Sequence, residues 1–129
     1  MVDVERIFSF QDELGECPVW NIAEQALYWI DTKQGMIQVY DPKADAHLKY
    51  ELNRKVGSIA FRKQGRLVVA MEDGFGFYNR HHNRLDIIDN PEKEHLGSRF
   101  YDGAVDRFGR FWAGTLGDVG HNSLYRQLV

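Results

Sequence analysis

The chain has 129 residues and a mass of 15.0 kDa, the size of one ordinary domain. Hydrophobic residues make up 43% and aromatics 13%, too much for a disordered tail. The net charge of -3 argues against a nucleic-acid binder, which needs a basic stripe, and the single cysteine, Cys17, excludes a disulfide framework and a Cys-based zinc site.

The start, Met1 to Phe8, is charged and lacks an apolar run of signal-peptide length. No stretch approaches the roughly 18 apolar residues of a membrane-spanning helix. The expectation is a soluble, cytoplasmic protein with neither membrane nor nucleic acid as a partner.

In chain order, the first predicted strand is Cys17–Trp20, followed by a turn at Ile22–Gln25 and strands Ala26–Asp31, Met36–Asp41 and Leu48–Leu52. The pattern then repeats. Gly57–Phe61 leads through a turn at Arg62–Gly65 to Arg66–Met71, Gly74–Tyr78 and Arg84–Ile88. A third pass gives Gly103–Val105, a turn at Arg107–Gly109, Arg110–Thr115 and Ser123–Arg126. These assignments rest on β-branched and aromatic enrichment between turn residues. The anchors Leu27, Leu67 and Phe111 lie 40 and 44 residues apart, the period of a four-stranded propeller blade. The expected fold is all-β, a single partial β-propeller over 1–129 with about three blades at 14–53, 54–97 and 98–129. A sandwich or barrel is the rival.

Few side chains stand out as chemical. Glu16 sits at the mouth of the first inward strand, where a carboxylate can ligate a hard cation; a solvated loop glutamate is the plainer alternative. Arg99 offers a planar fork for an oxygen-rich substrate. Asp102–Gly103 precedes the third inward strand and reads either as a site or as a turn pair. Asp106 reads as a turn former. The pair His81–His82 reads as loop, because adjacent strand residues point apart and chelate poorly. His47, His95 and His121 are isolated in sequence. Cys17 reads as a small buried hydrophobe rather than a nucleophile. No Gly-x-Ser-x-Gly elbow and no phosphate-binding glycine loop is present.

Three stretches carry a resemblance: Leu14-Gly-Glu-Cys-Pro-Val-Trp20, Leu27-Tyr-Trp-Ile-Asp31 and Arg99-Phe-Tyr-Asp-Gly-Ala-Val-Asp-Arg-Phe-Gly-Arg-Phe-Trp-Ala-Gly-Thr115. Together they resemble the SMP-30/gluconolactonase/luciferin-regenerating-enzyme family, which includes regucalcin. The resemblance implies a six-bladed propeller that hydrolyses sugar lactones with a divalent cation, calcium or zinc, on its axis. By position, Glu16 matches a metal-binding carboxylate and Arg99 a substrate-contacting arginine. Asp102 matches the aspartate of the family's Asn-Asp-Gly motif. Tyr101 stands where that motif has its substrate-pocket asparagine, and a phenol lacks an amide's paired donor and acceptor. The family's later asparagine and aspartate ligands fall beyond residue 129, so no catalytic residue is assigned.

The expectation is therefore a metal-dependent sugar lactonase in truncated or half-propeller form. The alternative is a non-catalytic module, including a homodimer in which two half rings close head to tail, or a piece of a longer product.

Overall fold

A computed structural model describes residues 2–9, 11–63, 66–94, 97–117 and 122–128. His95, His121 and the end of the predicted turn at 64–65 lie outside them. Among the described residues eleven strands form: β1 Gly15–Asn21, β2 Ala26–Asp31, β3 Met36–Asp41, β4 Ala46–Glu51, β5 Val56–Phe61 and β6 Arg66–Met71. The remainder are β7 Gly74–Asn79, β8 Arg84–Asp89, β9 Arg99–Val105, β10 Arg110–Leu116 and β11 Leu124–Leu128.

They build three antiparallel sheets, each a meander of consecutive strands: β1-β2-β3-β4, β5-β6-β7-β8 and β9-β10-β11. Among the described residues no strand crosses between sheets, which sets aside a Greek-key sandwich. The protein is a partial β-propeller, and the sheets are its blades. Among the described residues no helix is long and apolar enough to cross a membrane.

Alternation along each strand builds the packing. In β6, Leu67, Val69 and Met71 turn to the first blade and join Tyr28, Ile30, Ile37 and Val56 in one core cluster. Val68 and Ala70 turn the other way and join Phe75, Phe100, Phe111 and Ala113 in a second. The second blade is thus covered on both faces, which explains its nearly continuous apolar run. The outer face of the first blade is covered by the segment ahead of β1. Phe8 stacks on Trp29 and His47, and Asp12 accepts from Trp29 Nε1 at 2.8 Å and Gln38 Nε2 at 2.5 Å.

One expectation needs correction. The third inward strand begins at Arg99, not Gly103, because Arg99 and Phe100 pair with Leu116 and Thr115. Arg99, Tyr101 and Asp102 therefore lie within β9 rather than ahead of it. Each innermost strand also carries a register shift at the same level: Glu16/Val19 in β1, Val56/Ser58 in β5 and the β9 segment opposite Ala113/Thr115. Bulges of this kind re-aim side chains.

Candidate functional site

The three bulges place their residues at one end of the innermost strands. Glu16, Cys17, Gly57, Tyr101 and Asp102 line a cavity of about 240 Å3 there. Glu16 and Cys17 come from the first blade, Gly57 from the second, and Tyr101 and Asp102 from the third. Gly57 has no substitute: a Cβ would run into the backbone oxygens of Phe100 and Tyr101. That close approach lets the third blade's first strand press on the second's.

Tyr101 and Glu16 meet directly. The phenol donates to Glu16 Oε1 at 3.1 Å, and Thr32 Oγ1 donates to Oε2 at 3.3 Å. The hydrogen bond to Glu16 raises the Tyr101 phenol above its ordinary range, so it stays a donor. Asp102 is exposed, and its Oδ1 accepts from the Gly103 N–H at 2.8 Å. The geometry thus brings together Glu16, Tyr101 and Asp102. Arg99 is separate. Its Cζ lies 5.4 Å from the Tyr101 ring centroid, but the side chain lines a neighbouring polar cavity with Arg54, Asp73 and Glu92.

Cys17 packs against the first core cluster, as expected of a small hydrophobe, but is not fully buried. It is half-buried with φ of 54° at the β1 bulge, and its Sγ faces the Ile59 carbonyl at 3.7 Å. Burial pushes its thiol up, which favours the protonated form over the thiolate. Sequence spacing gave no sign that Cys17 and Gly57 would share a cavity with Asp102. The usable signal was the repeat itself, which puts the three inward strands side by side.

Glu16 and Asp102 are the carboxylates of this cavity. Among the described residues no group of three or more His, Cys, Asp or Glu side chains is placed to hold a metal. A calcium ion takes six to eight oxygens and a catalytic zinc three protein ligands. The side chains present do not by themselves make the cation site that the resemblance implies.

The remaining candidates are structural. His81 and His82 lie in the β7–β8 turn, as expected. Asp106 does more than form its turn. It accepts from the N–H groups of Phe108 and Arg110, from Arg110 Nε at 2.6 Å and from Trp112 Nε1 at 2.9 Å.

The family model described as the SMP-30/Gluconolactonase/LRE-like region matches residues 14–126. The chain belongs to this family. It is 42% identical over 105 residues to a 6-deoxy-6-sulfogluconolactonase of Pseudomonas putida, covering 80% of this chain and 35% of that one. The solved luciferin-regenerating enzyme superposes with a TM-score of 0.82 at 25% identity, over 89% of this chain and 42% of the other. A regucalcin from Agrobacterium tumefaciens, described as a calcium-binding protein, shares the fold at a TM-score of 0.85 and 20% identity, over 93% and 42%. The chain spans well under half the length of each. Three blades over 42% of such a chain is what part of a six-bladed ring amounts to.

Proposed function

We propose that the cavity holding Glu16, Tyr101 and Asp102 is part of a site that hydrolyses a sugar lactone. One observation carries the proposal: Tyr101 and Glu16, 85 residues apart, are bonded across a polar cavity at the ends of the innermost strands. The cavity of about 240 Å3 suits a small polar molecule, being below the roughly 300–1,000 Å3 of drug-sized pockets. The relative from Pseudomonas putida, a lactonase of a modified gluconolactone by name, supports the substrate class.

In this reading the exposed Asp102 carboxylate accepts a proton from water or a sugar hydroxyl. The Tyr101 hydroxyl fixes the orientation of Glu16 and bounds the lactone ring, and Arg99 steadies the Tyr101 ring from behind. Tyr101 in place of an asparagine selects for a lactone that tolerates a phenol rather than requiring an amide. A divalent cation, calcium or zinc, belongs to the same reading, with Glu16 as its contact. The donors described fall short of a full shell, so no step is assigned to it.

The test is hydrolysis of a panel of aldonolactones followed by pH-stat, with and without added calcium or zinc. A rate above spontaneous hydrolysis is expected, and Glu16→Ala should lower it by about a hundred-fold or more. No rate above background with either cation would reject lactonase activity for this chain.

A second reading has its own observation. Trp20 and Val105 are 45% and 42% exposed on an apolar cavity of about 500 Å3 between the innermost strands. Two copies closing on each other would cover it. Light scattering should then give twice 15.0 kDa; a monomer rejects self-closure.

A further inference from the structure

The end of the second blade far from Glu16 holds a cluster of arginines with no part in the proposed reaction. Register builds it. The Arg62 N–H donates to the Arg66 carbonyl at 2.7 Å, Arg66 pairs with Asn79, and Asn79 pairs with Arg84. Strands lie about 4.8 Å apart, so these residues form one rung on one face. Phe77 and Asp86 form the next rung of that face. With His82 they line an open cavity of about 620 Å3. Three guanidinium groups face one carboxylate there, in a chain whose net charge is -3.

These arginines are poorly satisfied. Arg62 lies over Phe77, with Cζ 3.5 Å from the ring centroid, and among the described residues its buried Nε has no acceptor. Among the described residues neither Arg62 nor Arg66 has a carboxylate partner. Arg84 pairs with Asp86 at 3.0 Å, but both side chains are largely exposed, and such pairs contribute little.

Two other places in the molecule show what is missing. Phe61 and Val105 close equivalent inner strands, opposite Leu67 and Phe111. The residue after Val105 is Asp106, which holds Arg110 at 2.6 Å. The residue after Phe61 is Arg62. The second blade therefore sets a guanidinium where the third sets the carboxylate. Between the first and second blades, by contrast, Arg80 is bonded to Tyr28, Tyr50 and Glu24.

We infer that an oxyanion of the phosphate class occupies the place of the missing carboxylate, held between Arg62 and Arg66 with Arg84 at the rim. Planar guanidinium forks match paired oxygens of a tetrahedral anion. The Asn79 amide stands between Arg66 and Arg84 as a neutral donor. A free phosphate ion and the phosphate of a small ester present the same oxygens. This site is independent of the lactone reading.

Calorimetric titration of the 129-residue chain with inorganic phosphate tests it, alongside a hexose monophosphate and chloride at matched ionic strength. Saturable binding of phosphate, and not of chloride, is expected. Arg66→Gln should weaken it about ten-fold or more. Arg62→Asp rebuilds the Asp106–Arg110 arrangement in the second blade and should abolish binding, with circular dichroism confirming the fold. Tighter binding of the ester identifies a phosphate ester as the ligand, and equal binding the free ion. Phosphate heats no different from chloride would overturn the proposal. So would a folded variant that binds phosphate as tightly as the parent. If Arg62→Asp does not fold, Arg66→Gln decides alone, since Arg66 is exposed and, among the described residues, has no carboxylate partner.

Discussion

Between the first and second blades, Tyr28, Ile30 and Leu67 close over one another, and Arg80 seals the lower end of the seam. Between the second and third, Phe75, Phe100 and Phe111 do the packing, and among the described residues no arginine is hydrogen-bonded across the blades there as Arg80 is. At the first seam Arg80 Nε donates to the Tyr28 hydroxyl and Nη1 to the Tyr50 hydroxyl, both at 2.8 Å, while Nη2 reaches Glu24 at 3.3 Å. Burial and the bond to Glu24 push the Tyr28 phenol far above its ordinary range, and burial raises Tyr78 to about 12. Both phenols stay neutral at any physiological pH. The lesson is that one repeat carries two kinds of seam. The first joins its blades through apolar packing and a satisfied polar network. The second relies on aromatic packing and, among the described residues, leaves Arg62 and Arg66 without a carboxylate partner.

Four substitutions separate the seams, taken from the largest effect down. Phe111 is fully buried against Phe75 and its neighbours, so Phe111→Ala should cost about 3–5 kcal/mol. The measurement is the urea midpoint at unchanged slope. A cost under about 1 kcal/mol would mean that the second seam is not held by its aromatics. Arg80→Ala should cost about 3 kcal/mol at the first seam, because it leaves the Glu24 carboxylate without its cation and the Tyr50 hydroxyl without its donor. Its side chain is 15% exposed. A near-neutral result would show that the network adds nothing beyond the apolar contacts.

Asp106→Asn comes third and probes the hairpin that keeps its carboxylate. Bonds from Trp112 and from Arg110 and Phe108 hold the Asp106 carboxyl well below the usual carboxylate range, against some opposing desolvation. Its folded pKa is depressed, so its stabilisation is present above the unfolded value of about 4 and is lost as pH falls below that. Thermal melts should show the variant several degrees lower at neutral pH. The gap should narrow through strongly acidic pH, as the native carboxyl itself becomes protonated. A gap that stays constant down to acid would contradict the assignment.

How much of this was legible depended on range. β2 and β6 run from Ala26 to Asp31 and from Arg66 to Met71, as read, because apolar strand formers sit between clear turn residues. β9 begins four residues before the strand that the sequence predicts at Gly103. Arg99 to Asp102 looks like a polar approach to an Asp-Gly turn, and only pairing with Thr115 and Leu116 makes it strand. The Glu16–Tyr101 contact spans 85 residues, so no local spacing shows it; the repeat and the resemblance pointed at the residues, not at the bond. The sequence reads Cys17 as a small buried hydrophobe with no histidine near it; at a bulge with φ of 54° it packs on the core and also lines the cavity. Asp106 reads from sequence as a turn former. Its hold on Arg110 and Trp112 follows only once the turn brings those residues back. Asp31, which accepts from the Glu13, Leu14 and Gln34 N–H groups, went unnoticed because a strand-end aspartate usually faces water.

The smallest effect is the one that separates a structural arginine from one free to bind. Arg66 is exposed, and among the described residues it has no carboxylate partner and packs on no ring. Arg66→Gln removes a positive charge from a rung that also holds Arg62 and Arg84. Like charges side by side on neighbouring strands repel. In phosphate-free buffer the variant should therefore match the parent or gain, within about 0.5 kcal/mol. Arg80→Ala at the other seam should lose several times as much under the same conditions. A loss above about 1 kcal/mol for Arg66→Gln would mean that its guanidinium already has an acceptor within the chain, and the two seams would then differ only in the partner each arginine uses.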